Sequence, residues 1–335
     1  MKPKALILAP FDEGCIERLR KRLAVTYEPW TETRTIQNPP KLAERLRAEK
    51  TAFIVVEADF LQEEAFATPS LRAAGVCRNA LNLIDLNAAT RHGVPVLHTP
   101  SRNTTAVAEL TIAFMIAIAR HVPAAHNWVR EGAWTDPIDA YIRFRGRELA
   151  GSTVGVVGLG QIGGEVAVKV GALGAKVIAH DPYIPAKRSQ ALGVRIVSLA
   201  QLLSRADFVT LHTSLASKEA VMDGAAFDLM KPRAYLISTG AGTAVDIDAL
   251  VERLKTRRIA GAALDVFPGH MLPATSPLLQ LDNVILTPHI GGATGESIGR
   301  HSRMIAEDIE RFLDGKRLRH MVNPDALKVR RRGRR

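Results

Sequence analysis

The sequence predicts an α/β protein with two doubly wound domains, each built around a parallel sheet. Continuously apolar segments alternate with amphipathic segments along the chain, which is typical of parallel strands covered by helices on both faces. Two such sets lie before and after about residue 101, and a length of 335 residues suits two domains.

The first set contains predicted strands at "ALILA", "AFIVVE" and "VPVLH", with a helix over "PKLAERLRAEK". The second contains strands at "TVGVVG", "KVIAHD", "DFVTLH", "YLIST", "AGAALDV" and "NVILTPH". A long helix over residues 103–122 is apolar nearly all round, which indicates burial at a domain or subunit interface and favours a homodimer. The last helix, "ESIGRHSRMIAEDIERFLDG", ends at a glycine cap signal.

Composition limits the compartment and the partners. Two cysteines cannot form a disulfide framework, so a cytoplasmic location is expected. The longest strongly apolar run, "LTIAFMIAIA", is too short to span a bilayer, so no membrane association is expected. Aromatic residues make up 5 % of the chain and offer few stacking platforms, so nucleic acid is not an expected partner.

Positive charge is concentrated at the end of the chain. Six of the eleven surplus positive charges lie in "KVRRRGRR", residues 328–335, which leaves five for the rest. We expect this tail to be a disordered, solvated end. Non-specific binding to nucleic acid or to an acidic partner is the alternative.

The segment "TVGVVGLGQIGGEVAVKVGALGAKVIAHD" predicts a dinucleotide site, because it places G-x-G-x-x-G between a strand and a helix. The first glycine allows a tight turn, the second admits a pyrophosphate, and the third lets the helix pack on the strand. The helix N-terminus offers N–H groups to phosphate oxygens. The residues of this turn predicted to bind the cofactor are Gly158, Gly160, Gln161, Ile162 and Gly163.

Asp181 predicts NAD as the cofactor. It lies 18 residues after Gly163, at the end of the next strand. A carboxylate there accepts hydrogen bonds from the adenosine ribose and repels a 2′-phosphate. Lys187 and Arg188 follow, which leaves NADP as an alternative.

With this unit in place, the chain from about residue 50 to residue 325 resembles the D-2-hydroxyacid dehydrogenase family, in its phosphoglycerate dehydrogenase-like branch. The similar segments are "NLIDLNAATRHGVPVLHTPSRNTTAVAEL", "LMKPRAYLIST", "AGAALDVF" and "SPLLQLDNVILTPHIGGAT". The resemblance implies a flavodoxin-like lid domain for substrate, residues 1–100 with 291–325. It further implies a Rossmann NAD-binding domain, residues 101–290, a basic tail, residues 326–335, and an active site in the cleft.

In this family hydride passes between nicotinamide and a 2-hydroxy or 2-keto acid. An arginine grips the carboxylate, a histidine exchanges the hydroxyl proton, and an acid orients the histidine. His289 matches the histidine, or else only caps a strand end. Ala241 stands where the arginine belongs, with its Cβ expected to point into the cleft beside the nicotinamide. His270, five residues after Asp265, stands where the acid belongs, which predicts that it lies near His289.

Further residues are implied around the nicotinamide. Asp265 matches the family residue that bonds the carboxamide, although a helix cap is the alternative. The backbone from Thr239 through Gly240 and Ala241 to Gly242 is expected to line the nicotinamide pocket, and His289 is expected to contact the cofactor there. His212, at a strand end, either contacts the cofactor or only packs there.

With no arginine at position 241, another group must grip an anionic small-molecule substrate. Arg78 and Asn79, in "CRNALNLID", and Arg102 are the candidates; hydrogen bonding at a surface or interface is their alternative role. No metal site is predicted. The sequence therefore predicts an NAD-dependent oxidoreductase acting on an atypical substrate, such as a phosphonate or another carbonyl compound. A catalytically silenced NAD(H)-binding or sensing protein is the alternative.

Overall fold

The computed structural model describes residues 1–213 and 220–332. The strands are β1 (Lys4–Ile7), β2 (Ala24–Tyr27), β3 (Thr51–Val56), β4 (Ala73–Val76), β5 (Val96–His98), β6 (Thr153–Val157), β7 (Lys176–His180), β8 (Arg195–Ile196), β9 (Phe208–Leu211), β10 (Tyr235–Ser238), β11 (Gly261–Leu264) and β12 (Val284–Leu286). The helices are α1 (Glu13–Arg20), α2 (Trp30–Thr33), α3 (Pro39–Ala48), α4 (Glu63–Phe66), α5 (Leu86–Arg91), α6 (Thr104–Ala119), α7 (Val122–Arg130), α8 (Pro137–Arg143), α9 (Gln161–Ala172), α10 (Ala186–Ala191), α11 (Leu199–Arg205), α12 (Gly224–Leu229), α13 (Ile247–Lys255), α14 (Gly295–Leu313) and α15 (Asp325–Arg332).

The chain divides into two compact units. Unit 1 comprises Met1–Arg102 with Ala293–Arg335, and unit 2 comprises Asn103–Gly292. Each unit contains one wholly parallel sheet, so the predicted fold class of two doubly wound domains is confirmed.

The sheet of unit 1 has the strand order β2-β1-β3-β4-β5. Side chains alternate across the pleat of β3, so that Phe53 and Val55 enter one apolar core and Ile54 and Val56 enter the other. Helices α1 and α14 cover the first face, and α3 and α5 cover the second. The strand order reverses between β1 and β3, and ligands of open α/β sheets bind at the carboxyl edge of such a switch point.

The sheet of unit 2 has the strand order β12-β11-β10-β9-β6-β7-β8. Its switch point lies between β6 and β9, where the glycine-rich turn leaves the sheet. Along β10, Leu236 enters one core and Ile237 the other, as the pleat requires.

Two predicted segments differ from the structure. The predicted helix over residues 103–122 is α6, which ends three residues earlier, at Ala119, because His121 adopts a left-handed conformation with φ 55° before α7 begins at Val122. The tail is not disordered over its whole length, because α15 continues to Arg332; residues 333–335 lie outside the described residues. A Cβ on Gly93 would lie 3.1 Å from the backbone nitrogen of Arg330, so this helix packs closely within unit 1.

Among the described residues, no single helix is long and apolar enough to cross a membrane. Helices α6 and α7 reach that length and apolarity only as a pair, and the pair is bent by 62°.

Candidate active site and cofactor site

The glycine-rich turn follows β6 at the switch point of unit 2. Gly158 has φ +90°, and a Cβ on it would lie 2.7 Å from the carbonyl oxygen of His212. A Cβ on Gly163 would lie 1.9 Å from the carbonyl oxygen of Gly158, so only glycine lets α9 sit against this turn. A Cβ on Gly160 would meet nothing within 4 Å. The open space beside Gly160 is where a pyrophosphate can approach the backbone.

Helix α9 begins at Gln161 and Ile162, and no side chain caps its N-terminus. The first N–H groups of α9 are therefore available to an anion. Asp181 follows β7, and its two carboxylate oxygens accept hydrogen bonds from the backbone N–H groups of Leu159 (2.8 Å) and Tyr183 (2.9 Å). Each oxygen keeps a second lone pair for a ribose hydroxyl. The turn, the helix end and the carboxylate thus fit a dinucleotide.

His212 follows β9 beside this turn. Its Nε2 lies 3.0 Å from Thr210 Oγ1, while its buried Nδ1 has no hydrogen-bond partner among the residues that the structure describes. Burial lowers the pKa of His212 to about 4, so the imidazole is neutral at pH 7. An unpaired buried nitrogen costs free energy unless a ligand or water satisfies it.

The loop after β10 is uncharged and tightly packed. Thr239 is buried, and its Oγ1 lies 2.8 Å from Thr111 Oγ1. A Cβ on Gly240 would lie 2.9 Å from the carbonyl oxygen of Leu211. Ala241 is 5 % exposed and belongs to an apolar core of unit 2, in contrast to the predicted orientation toward a cleft. An arginine at position 241 would have to leave that core to reach a ligand.

Asp265 is buried at the end of β11 and fixes the segment that carries His289. Its Oδ1 accepts hydrogen bonds from Thr287 Oγ1 (2.5 Å) and the Ile290 N–H (2.8 Å), and its Oδ2 accepts one from the Gly291 N–H (2.7 Å). A carboxylate that accepts this many hydrogen bonds holds its donors strongly. Asp265 therefore clamps residues 287–291.

The structure brings His270 and His289 together, as predicted. Their ring centroids lie 5.2 Å apart with the planes tilted by 57°, and both residues are exposed. Both have left-handed backbones, with φ 75° for His270 and φ 57° for His289. Such conformations are uncommon for residues other than glycine and often occur at functional sites.

In unit 1, Arg102 belongs to a buried polar network rather than standing free for a substrate. Its Nη2 donates to Glu57 Oε1, and its Nη1 donates to His301 Nδ1 at 2.9 Å. His301 is fully buried, and its Nε2 donates to the Pro10 carbonyl oxygen at 2.7 Å. Burial lowers the pKa of His301, which keeps it neutral.

Arg78 follows β4 near this network. Its side chain is half-buried and makes no ion pair or hydrogen bond with any residue in the described part of the chain. Burial lowers the pKa of Arg78, while Glu57 raises it and Arg102 lowers it further. Asn79 is exposed.

Glu57 and His301 were not predicted as site residues. Glu57 ends the predicted strand "AFIVVE", and a charged residue at the end of a buried strand could have indicated a polar site there. His301 lies in the middle of α14, 199 residues from Arg102, and nothing local indicates their contact.

Comparisons with known proteins agree with this arrangement. The profile of the family described as "D-isomer specific 2-hydroxyacid dehydrogenase, NAD binding domain" matches residues 112–291. The chain is 34 % identical over 332 residues to YoaD of Bacillus subtilis, which carries a provisional 2-hydroxyacid dehydrogenase name, covering 97 % of this chain and 95 % of YoaD. It is 35 % identical over 323 residues to D-3-phosphoglycerate dehydrogenase of Archaeoglobus fulgidus, covering 96 % of this chain but 59 % of that longer protein.

Among solved structures, protein TT0316 of Thermus thermophilus superimposes with a TM-score of 0.84 at 30 % identity, covering 95 % of this chain and 99 % of TT0316. The matched profile spans more than half of the chain and includes the glycine-rich turn, Asp181, Asp265 and His289. The chain therefore belongs to the D-isomer specific 2-hydroxyacid dehydrogenase family, with an NAD-binding domain in unit 2.

Proposed function

We propose that this protein is an NAD-dependent oxidoreductase that transfers hydride to or from the carbon of a carbonyl or alcohol group. The observation that carries the proposal is the contact between His270 and His289, two exposed imidazoles on left-handed backbones. One of them, His289, lies on the segment that the buried Asp265 clamps. An imidazole side chain can donate or accept a proton, which the interconversion of an alcohol and a carbonyl group requires.

NAD, when bound, supplies or accepts the hydride, and the chain's own residues manage the proton. During alcohol oxidation His289 accepts the hydroxyl proton as the hydride leaves; during carbonyl reduction it returns that proton to the oxygen. His270 replaces the carboxylic acid of the family pattern.

The substrate of this proposal is an anionic small molecule other than a simple 2-keto acid, for which a phosphonate or another carbonyl compound is a candidate class. Two observations support it. The loop that contains Ala241 presents no cation, and Arg78 in unit 1 has no carboxylate partner among the described residues. We therefore assign Arg78, with the exposed Asn79, to the anionic group of the substrate. The part of unit 1 within residues 1–100 and 291–325 acts as the substrate lid.

The alternative is a silenced NAD(H)-binding or sensing protein. It is favoured by the alanine packed at position 241 and by the histidine at position 270, because both replace groups that the family's reaction uses. Two measurements separate the proposals: NADH consumption with a panel of carbonyl compounds, and direct titration of NADH binding. Turnover of any compound supports the oxidoreductase, whereas tight NADH binding without turnover supports the sensor.

We further propose a cytoplasmic homodimer. Cys15 and Cys77 are free thiols, which suits a reducing compartment. On α8, Ile138, Tyr141 and Ile142 are 68 %, 74 % and 69 % exposed, an apolar surface that a second copy would cover. Light scattering at micromolar concentration should give the mass of a dimer, and a monomeric mass would contradict this proposal.

A further inference from the structure

Three charged side chains meet at the carboxyl edge of the unit 1 sheet. Glu57 directly follows β3, Arg78 follows β4, and Arg102 follows β5. The N–H of Thr99 donates to the Arg78 carbonyl oxygen at 3.2 Å, which holds the ends of β4 and β5 side by side. This edge adjoins the switch point between β1 and β3, where open α/β sheets bind ligands.

Arg102 is the partner of the single carboxylate in this group. The Arg102 and Glu57 side chains are 13 % and 15 % exposed, so their ion pair is largely withdrawn from water. The backbone of Arg102 is also fixed, because Arg300 Nε donates to its carbonyl oxygen at 2.6 Å. Two guanidinium groups and one carboxylate leave one positive charge, and the side chain without an ion pair among the described residues is Arg78.

His301 fixes the direction of the Arg102 guanidinium. The Pro10 carbonyl oxygen can only accept, so His301 Nε2 carries the proton and Nδ1 is an acceptor for Arg102 Nη1. A protonated His301 would lose that acceptor and place a second positive charge against Arg102. The neutral imidazole therefore aims Arg102 at Glu57.

We infer that Glu57, Arg102 and His301 form a positioning network that keeps the Glu57 carboxylate away from Arg78, so that Arg78 retains a positive charge for a singly charged anionic group. The inference rests on the proposed role of Arg78 as the substrate anchor. Arg102 and Glu57 are positioning residues here, because they act through Arg78.

The network makes a specific prediction for removal of Arg102. In Arg102→Leu the Glu57 carboxylate loses its partner, and Arg78, whose charge Glu57 already stabilises, is expected to pair with it. Neutralisation of Arg78 should weaken anion binding by about ten- to a hundredfold, the range of one charge-assisted hydrogen-bond pair. In the double variant Arg102→Leu with Glu57→Gln, no carboxylate is released, and anion affinity should return to within about threefold of the wild type.

The test is calorimetric titration of three anions into the NADH-saturated protein: oxamate for a carboxylate, methylphosphonate and inorganic phosphate. The variants are Arg78→Leu, Arg102→Leu, Glu57→Gln and the Arg102→Leu, Glu57→Gln double variant. Urea unfolding followed by circular dichroism serves as the folding control, because the substituted residues belong to unit 1 whereas the cofactor turn belongs to unit 2. We expect at least one anion to bind the wild type and to bind Arg78→Leu and Arg102→Leu more weakly. The affinity for that anion should be restored in the Arg102→Leu, Glu57→Gln double variant.

The outcomes separate the two claims. Equal anion binding by the wild type and Arg78→Leu, or no binding by the wild type, would overturn the anchor role of Arg78 itself. Weakened binding in Arg78→Leu with unchanged binding in Arg102→Leu would overturn only the positioning network. Weakened binding in Arg102→Leu that the Glu57→Gln change does not restore would also overturn the network, because the released carboxylate would then not be the cause.

Discussion

Replacing Asp265 with asparagine should destabilise the protein and impair the candidate site together. Asparagine has the same size but one acceptor oxygen. If that oxygen faces Thr287 and Ile290, the amide nitrogen faces the buried Gly291 N–H, and two donors then oppose each other. One unsatisfied buried donor and the loss of charge assistance in the other bonds should lower the free energy of unfolding by about 2–4 kcal/mol.

Urea unfolding measures this loss, and NADH titration and turnover measured on the same samples report the state of the site. Asp246→Asn is the matched control, because Asp246 is an exposed N-cap whose bond to the Ala249 N–H an asparagine can also accept. The control should change stability by less than about 0.5 kcal/mol. If Asp265→Asn were as stable as the wild type, Asp265 would not hold residues 287–291 in place as described. If only NADH affinity fell, Asp265 would instead act mainly on the nicotinamide carboxamide.

Three further predictions concern pH, cofactor choice and the missing catalytic groups. The pKa of His212 is about 4, below its ordinary 6.5. As pH falls, His212 is therefore protonated in the unfolded chain before it is protonated in the folded chain. Stability should therefore decline between pH 6.5 and 4 by up to about 3 kcal/mol in urea unfolding, and His212→Gln should remove this part of the decline. Asp181→Ala should narrow the preference for NADH over NADPH, and equal affinity of the wild type for both would contradict the role of Asp181. Ala241→Arg combined with His270→Glu should not raise kcat/KM for pyruvate, glyoxylate or hydroxypyruvate, because position 241 packs in an apolar core of unit 2. A double variant that binds NADH and gains about tenfold or more would instead place position 241 in the substrate site.

Short sequence patterns predicted those helices and strands in which particular residue types are required by the backbone or by burial. The β6–α9–β7 unit was predictable because Gly158 and Gly163 occupy positions where a Cβ would collide with backbone. Strand β4, "AAGV", lacks β-branched residues except at its end, and β8 has two residues, so neither has a recognisable pattern. The break before α7 lies at the left-handed His121, and Pro123 in the first turn of α7 was a local signal for this helix start.

The candidate site was predictable in part for a similar reason. His270 and His289 occupy positions of a known motif, and their contact followed from it. The packing of Ala241 and the partners of Arg102 depend on tertiary contacts, because Glu57 and His301 are 45 and 199 residues away from Arg102 along the chain. No window of the sequence contains that information.

Deuterium transfer from the nicotinamide is the most direct test of the proposed oxidoreductase activity. Wild-type protein and His289→Ala are incubated with a panel of anionic carbonyl compounds and NADH deuterated at either face of the 4-position, and products are analysed by mass spectrometry. The wild type should place one deuterium on the carbonyl carbon of at least one compound, and His289→Ala should do so about a hundredfold more slowly while still binding NADH. Tight NADH binding by the wild type with no deuterium in any product would contradict hydride transfer and favour the NAD-sensing alternative.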